Sequence, residues 1–159
     1  MTTMSGKVDL KVPKERVLAF AANPDEFSKV LPNLQEFEKK EEGKFTAKFK
    51  AELPPDMKKG LLANLSNVGI KMNFQISTDG DSVAVHGEGR SMGMKIVIDL
   101  KMHMTASADG TEIAWNADVD AGMILRMMGE QNFKKVADGI IEQMIGNVKA
   151  TLEAPQGRA

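Results

Sequence analysis

The stretch TEIAWNADVDAGMILRMMGEQNF, residues 111–133, decides the fold because the spacing of its apolar residues changes half-way along it. From Ile113 to Val119 every second residue is apolar, which is typical of a strand with one buried face. From Gly122 onward the apolar residues recur at steps of three and four, which is the period of a helix. The pattern therefore predicts a half-buried strand that leads directly into an amphipathic helix.

Downstream of this stretch, the helical period continues and predicts one long helix of about eight turns up to Leu152. Residues 154–159 form a short polar tail, so the chain is predicted to be one domain, 1–153, followed by that tail. The predicted inner stripe of the helix consists of Leu125, Met128, Gly129, Phe133, Val136, Ala137, Ile140, Met144, Val148 and Leu152.

Upstream, the sequence predicts six more strands and two short helices. The first strand is Lys7–Val12, and Pro13 then opens a helix over Lys14–Ala22. Asn23 is the predicted N-cap of a second short helix. Alternating segments separated by turn residues follow, and Gly87 and Gly89 inside one of them predict bulges that let the sheet curl. The predicted sheet has one apolar face and the predicted long helix has one apolar stripe. These features predict an α+β domain in which the sheet and the helix pack together.

Bulk composition excludes several classes of function. A net charge of −1 gives no sign of a nucleic-acid surface, and the absence of cysteine excludes disulfides and thiolate metal sites. The N-terminus lacks the apolar region of a signal peptide, and no apolar run is long enough to span a membrane. We therefore expect a cytoplasmic protein. Its 12 methionines are unusual, since methionine is the flexible gap-filler of cores and adaptable binding surfaces.

Three segments together resemble a known family, and the resemblance covers about residues 7–152. They are VPKERVLAFAANPDEFSKVLPNLQEFEKKEEGKFTAKFKA (12–51), GEGRSMGMKIVIDLKM (87–102) and GTEIAWNADVDAGMILRMMG (110–129). They resemble the carbon monoxide dehydrogenase CoxG family of the START-like, or Bet v 1-like (SRPBCC), superfamily. The resemblance implies a helix-grip fold, in which a curved seven-stranded antiparallel sheet wraps around a long C-terminal helix, with two short helices after strand 1.

The resemblance also implies a function. A protein of this type is expected to be a non-catalytic carrier or accessory protein that binds an apolar or amphipathic small molecule, such as a quinone or a lipid. Its implied partners are a molybdenum hydroxylase or CO dehydrogenase-like complex, or a membrane surface, which would place it at the inner membrane face as a peripheral protein. No cofactor and no nucleic-acid partner is implied.

Two alternatives of other classes stay open at this point. One is a cyclase- or dehydratase-like enzyme that uses the same cavity, and the other is a protein-interaction module with a filled core. The enzyme is disfavoured because catalysis needs inward polar groups, whereas the inward strand positions are almost all apolar. His86 and His103 both fall on the outward face, too far apart to share a metal ion, so no metal site and no catalytic residue is predicted.

The inward positions of the strands and helix give the expected lining of a ligand cavity, with a plain packed core as the alternative. The segment 54–69 adds leucines at helical spacing, which predicts either a helix that caps the end of the barrel or a mobile lid. The predicted lining is Phe45, Phe49, Leu61, Leu62, Leu65, Met72, Phe74, Met94, Met102, Met104, Trp115, Leu125, Met128 and Phe133.

The first turn of the long helix is apolar all round, which predicts a second kind of site. Met123 and Met127 fall in line with the polar side of the helix, away from Leu125 and Met128. We expect these two methionines, with Lys58 and Lys59 at the rim, to form a patch at the cavity mouth for ligand entry or for contact with a membrane or a partner.

Overall fold

The seven strands form a single antiparallel sheet in the order β1-β7-β6-β5-β4-β3-β2. This computed structural model describes residues 2–31, 33–50, 69–91 and 93–153. The elements are β1 (Thr2–Leu10), α1 (Lys14–Ala22), α2 (Pro24–Ser28), β2 (Glu36–Lys39), β3 (Lys44–Phe49), β4 (Ile70–Asp79), β5 (Ser82–Ser91), β6 (Met94–Ser107), β7 (Gly110–Asp120), α3 (Met123–Met128) and α4 (Glu130–Leu152).

Short hairpin turns explain most of this sheet order. Gly80, with a φ of +59°, lets the chain reverse between β4 and β5, and Gly43 and Gly93 have similar backbones in two other turns. The first strand then pairs with the last, from Thr2 opposite Val119 to Leu10 opposite Thr111. The predicted seven-stranded antiparallel sheet and long C-terminal helix are therefore confirmed.

The two short helices begin where the sequence predicts. Asn23 Oδ1 accepts a hydrogen bond from the Asp25 backbone N–H at 3.0 Å, and Pro24 occupies the first position of α2. Helix α1 crosses the concave face of the sheet over β4 to β7, while α2 lies against β2 and β3. This arrangement closes one side of the space that the curved sheet encloses.

The single long helix predicted from Gly122 to Leu152 is wrong, because Gly129 divides it into α3 and α4. Gly129 has a φ of +85° and a ψ of 152°, a backbone that residues with a side chain rarely adopt. Its N–H bonds to the Leu125 carbonyl at 2.8 Å and so ends α3, and the Asn132 side chain donates to the Met128 carbonyl at 2.9 Å. The helical phase of α3 is therefore independent of the phase of α4.

Two predictions about the strands also need correction. Strand β1 spans Thr2–Leu10 instead of Lys7–Val12, because its pairing with β7 extends to the N-terminal residues. Gly87 and Gly89 form no bulge, since the register of β5 with both neighbouring strands is continuous. These glycines instead make room for the side chains opposite them, as a Cβ on Gly87 would lie 2.8 Å from the Phe74 ring.

Candidate ligand cavity

A cavity of about 270 Å³ lies between the concave face of the sheet and the helices α1, α3 and α4. Strict alternation along the strands makes the sheet side of this cavity apolar, because paired strands present their apolar residues to the same face. All the described residues that line it are apolar. Eight of the residues predicted from the sequence are on its wall: Phe49, Met72, Phe74, Met102, Met104, Trp115, Met128 and Phe133.

Three other predicted lining residues lie elsewhere in the core, and three more are outside the described residues. Phe45 stacks on Phe74 with ring centroids 5.0 Å apart, in a solid aromatic cluster that also contains Phe27 and Phe37. Met94 and Leu125 are partly buried against the core and are not among the described wall residues. The remaining predicted positions, Leu61, Leu62 and Leu65, belong to the segment that the structure does not describe.

Sequence reasoning missed a large part of the wall. Met4 and Val8 of β1 line the cavity, as do Phe20 and Ala21 of α1 and the α4 residues Ile141 and Ile145. The alternation of β1 and the apolar stripe of α1 were visible in the sequence, but alternation alone does not separate filled core from cavity wall. The signal for α4 was the doublet Ile140–Ile141 followed by Met144–Ile145, which makes the apolar stripe two rows wide.

The structure places the two methionines of the patch predicted at α3 at different depths. Met123 is 60% exposed, whereas Met127 is half-buried. The buried wall positions of α3 are Ile124 and Met128, where the prediction had Leu125 and Met128. Leu125 was misplaced because the break at Gly129 turns α3 away from the phase of α4. Lys58 and Lys59, the predicted rim, lie outside the described residues.

The sole tryptophan of the chain lies flat on the sheet at the cavity wall. Trp115 pairs across the strands with Gly6, and a Cβ on Gly6 would meet the indole ring at 2.9 Å. The absent side chain therefore gives the indole ring room to cover the strand. Because Trp115 lines the cavity and is the chain's one tryptophan, its fluorescence reports on what the cavity contains.

Titratable side chains lie on the other, convex face of the sheet. His86 Nδ1 is 2.6 Å from Asp99 Oδ1, and its Nε2 is 3.5 Å from Glu88 Oε1. The hydrogen bond to Asp99 raises the pKa of His86 above its usual value, and the charges of Asp99 and Glu88 add to this effect. His103 pairs with Ser82, four residue pairs along the same two strands from the His86–Asp99 pair.

Two further features of the described residues concern metal sites and membrane spans. No group of three or more His, Asp or Glu side chains within it could hold a metal ion. Among its helices, none is long and apolar enough to cross a membrane. The distinctive chemical feature of the described structure is thus an apolar, partly open cavity.

Comparison with known proteins assigns this chain to a family. The model of the carbon monoxide dehydrogenase CoxG family matches residues 6–153. The chain belongs to the CoxG family. Its predicted membership is confirmed, and the CoxG match includes every described strand and helix except the first residues of β1. No curated protein matches the chain in sequence.

Solved structures show that this CoxG chain has a START-like fold. A conserved protein from Geobacillus kaustophilus superposes with a TM-score of 0.78 at 15% identity, covering 96% of this chain and 95% of that one. A START superfamily protein from Mycobacterium smegmatis gives a TM-score of 0.65 at 9% identity, with 95% and 97% covered. A protein from Chromobacterium violaceum gives 0.62 at 13% identity, with 96% and 98% covered. The predicted helix-grip fold is therefore confirmed.

Proposed function

We propose that this protein is a non-catalytic carrier that binds a neutral apolar or amphipathic small molecule, such as a quinone or a lipid, in its cavity. The observation that carries the proposal is a cavity of about 270 Å³ whose described wall is entirely apolar. Moving apolar ligand surface out of water contributes about 25 cal/mol per Å². A charged group would lose its hydration in this cavity and find no partner on the described wall.

The volume of the cavity and the flexible side chains on its wall indicate what kind of ligand fits. Ligand pockets usually measure about 300–1,000 Å³, so this cavity suits a small ligand or the apolar part of a larger one. The wall includes the methionines Met4, Met72, Met102 and Met144, whose unbranched side chains adapt to different shapes. We therefore expect loose selectivity among ligands of similar length.

A cavity-filling substitution tests the carrier function. Ala117 lines the cavity, whereas Ala114 lies on the opposite face of the same strand. We expect Ala117→Leu to lower the affinity for an apolar fluorescent probe such as N-phenyl-1-naphthylamine about tenfold, because the added side chain occupies ligand space. Ala114→Leu is the matched control and should leave the affinity unchanged.

Native mass spectrometry of the purified protein supplies an independent check of the same proposal. A co-purified apolar molecule that disappears in Ala117→Leu would support the carrier function. A wild-type protein that is always empty and binds no apolar probe would contradict it. Thermal unfolding of both variants shows whether each remains folded, so that loss of binding is not mistaken for loss of structure.

The accessory role is a finer proposal that rests on the family. Membership of the CoxG family supports association with a molybdenum hydroxylase or CO dehydrogenase-like complex in the cytoplasm or at the inner membrane face. The exposed Met123 supports contact at α3. A photo-crosslinking residue at position 123 should capture a component of such a complex or a lipid in cells, and one at Leu34, the other exposed large apolar residue described, should not. Equal capture at both positions would contradict a specific contact.

The two alternative functions have less support. An enzyme that uses this cavity needs a titratable or polar group directed into it, and the described wall offers none. A pure interaction module would have a filled core, whereas about 270 Å³ of space remains here. The carrier function explains both observations.

A further inference from the structure

One buried hydroxyl on the cavity side of the sheet has no partner among the described residues. Thr2 is 1% exposed, and its Oγ1 neither donates nor accepts a hydrogen bond. The other buried threonine, Thr111, donates to the Val12 carbonyl at 2.7 Å. Buried hydroxyl groups are nearly always paired, so an unpaired one in a folded protein calls for an explanation.

The position of Thr2 relates this hydroxyl to the cavity. Thr2 pairs directly with Val119, and the next residue of β1 on the same face, Met4, pairs with Ala117. Val119, Met4 and Ala117 all line the cavity. Directly paired residues point to the same face with Cβ atoms about 4.5–5.5 Å apart. Thr2 is not itself a wall residue, but its side chain lies on the same face of the sheet and next to wall residues, at the β1–β7 end of the cavity.

The described structure has a second unpaired polar atom, but of a different kind. It is the Nε of Arg16, whose side chain is only partly buried and carries other N–H donors that can reach water. The Thr2 hydroxyl has no such second group. It both donates and accepts, so a single neutral oxygen next to it would satisfy it.

We propose that the Thr2 hydroxyl is the hydrogen-bond site for a neutral oxygen of the cavity ligand, a hydroxyl or a ketone carbonyl. This inference rests on the proposed carrier function. A carboxylate is disfavoured because no described cationic side chain lines the cavity to compensate for its burial. The ligand class is thus an apolar molecule that carries a neutral polar group.

A pair of ligands that differ only in this oxygen tests the proposal. 1-Octanol and n-nonane have the same number of heavy atoms, and the binding of each is measured by displacement of an apolar probe or by the fluorescence of Trp115, the sole tryptophan. We expect Thr2→Val, which keeps the shape and removes the hydroxyl, to weaken octanol binding about 3- to 10-fold and to leave nonane binding unchanged. Thr2→Ser keeps the hydroxyl and should retain the preference for octanol.

The outcomes separate this inference from the carrier function. If the wild type binds both ligands and Thr2→Val changes neither affinity, the Thr2 site is refuted while the carrier function stands. If the wild type binds neither ligand, the carrier function itself fails. Thermal unfolding without ligand gives a second readout, because removing an unpaired buried hydroxyl should raise the Tm of Thr2→Val. A lower Tm with unchanged octanol affinity would mean that ordered water already pairs with Thr2, and would overturn the proposal.

Discussion

Helices α1 and α4 both line the cavity, but the side chains of α1 are more deeply buried than those of α4. In α1, Val17, Phe20 and Ala21 are 2%, 4% and 5% exposed. In the middle of α4, Ile140, Ile141, Met144 and Ile145 are only partly buried, although they line the same space. One wall of the cavity, the firm wall, is therefore fully buried, and the other, the loose wall, is partly exposed. In the proposed carrier function, the firm wall keeps the shape of the cavity and the loose wall admits the ligand.

The sequence of α4 explains part of this looseness. Gly139 and Gly146 lie inside the helix, and a Cβ added at either would touch no described residue. Neither glycine is needed for close packing within the described structure, and each lowers the stability of the helix by about 1 kcal/mol relative to alanine. The middle of α4 is therefore weakened by its own sequence. Helix α1 has no glycine and gains its stability from buried contacts with the sheet.

The largest effect is expected on the firm wall. Phe20→Ala should lower the free energy of unfolding by about 3–5 kcal/mol, because it removes a buried ring from packed surroundings that can close only partly. Urea unfolding followed by Trp115 fluorescence measures the change. A loss below about 1 kcal/mol would show that α1 is as loosely packed as α4.

A smaller effect is expected on the loose wall. Met144→Ala should cost about 1 kcal/mol or less, because the partly exposed side chain already has open space beside it. The same variant should change the affinity for an apolar probe, since Met144 lines the cavity. A cost of about 2–5 kcal/mol, the range for fully packed methionine, would mean that α4 packs as firmly as α1.

Some features of the cavity could be predicted from the sequence and others could not, because only some of them depend on local sequence patterns. The inward parity of the strands identified Met72, Met102, Met104 and Trp115 as neighbours in space, because a period of two directs side chains to one face whatever the turns do. Parity does not distinguish cavity from core, since that depends on how far α4 stands from the sheet. The misplaced Leu125 has another cause, because one unusual φ at Gly129 resets the helical phase.

The unpaired Thr2 hydroxyl also could not be predicted from the sequence. Its burial depends on the pairing of β1 with β7, which joins two distant parts of the described chain. A contact over such a separation leaves no local pattern in the sequence. The aromatic cluster around Phe45 is a related case, because strand parity placed that ring inward but did not show that three other rings fill the space around it.

The His86–Asp99 pair on the convex face of the sheet should make the free energy of unfolding depend on pH. This effect should be smaller than those of Phe20→Ala and Met144→Ala. Bonding to Asp99 raises the pKa of His86 in the folded protein above its unfolded value of about 6.5. The protonated pair therefore stabilises the fold fully below about pH 6.5, and this contribution is lost as pH rises through the folded pKa. It should stay near 0.5 kcal/mol or less, because the two side chains are 46% and 51% exposed and solvent screens the pair. Urea unfolding between pH 5 and pH 8 should show this dependence in the wild type and a weaker one in Asp99→Asn, where Glu88 still faces His86, whereas His103→Gln, which removes the other histidine, should keep it. Ligand affinity should stay constant across the same range, since no titratable side chain lies on the described cavity wall. A change in affinity that follows His86 would mean that the two faces of the sheet are coupled.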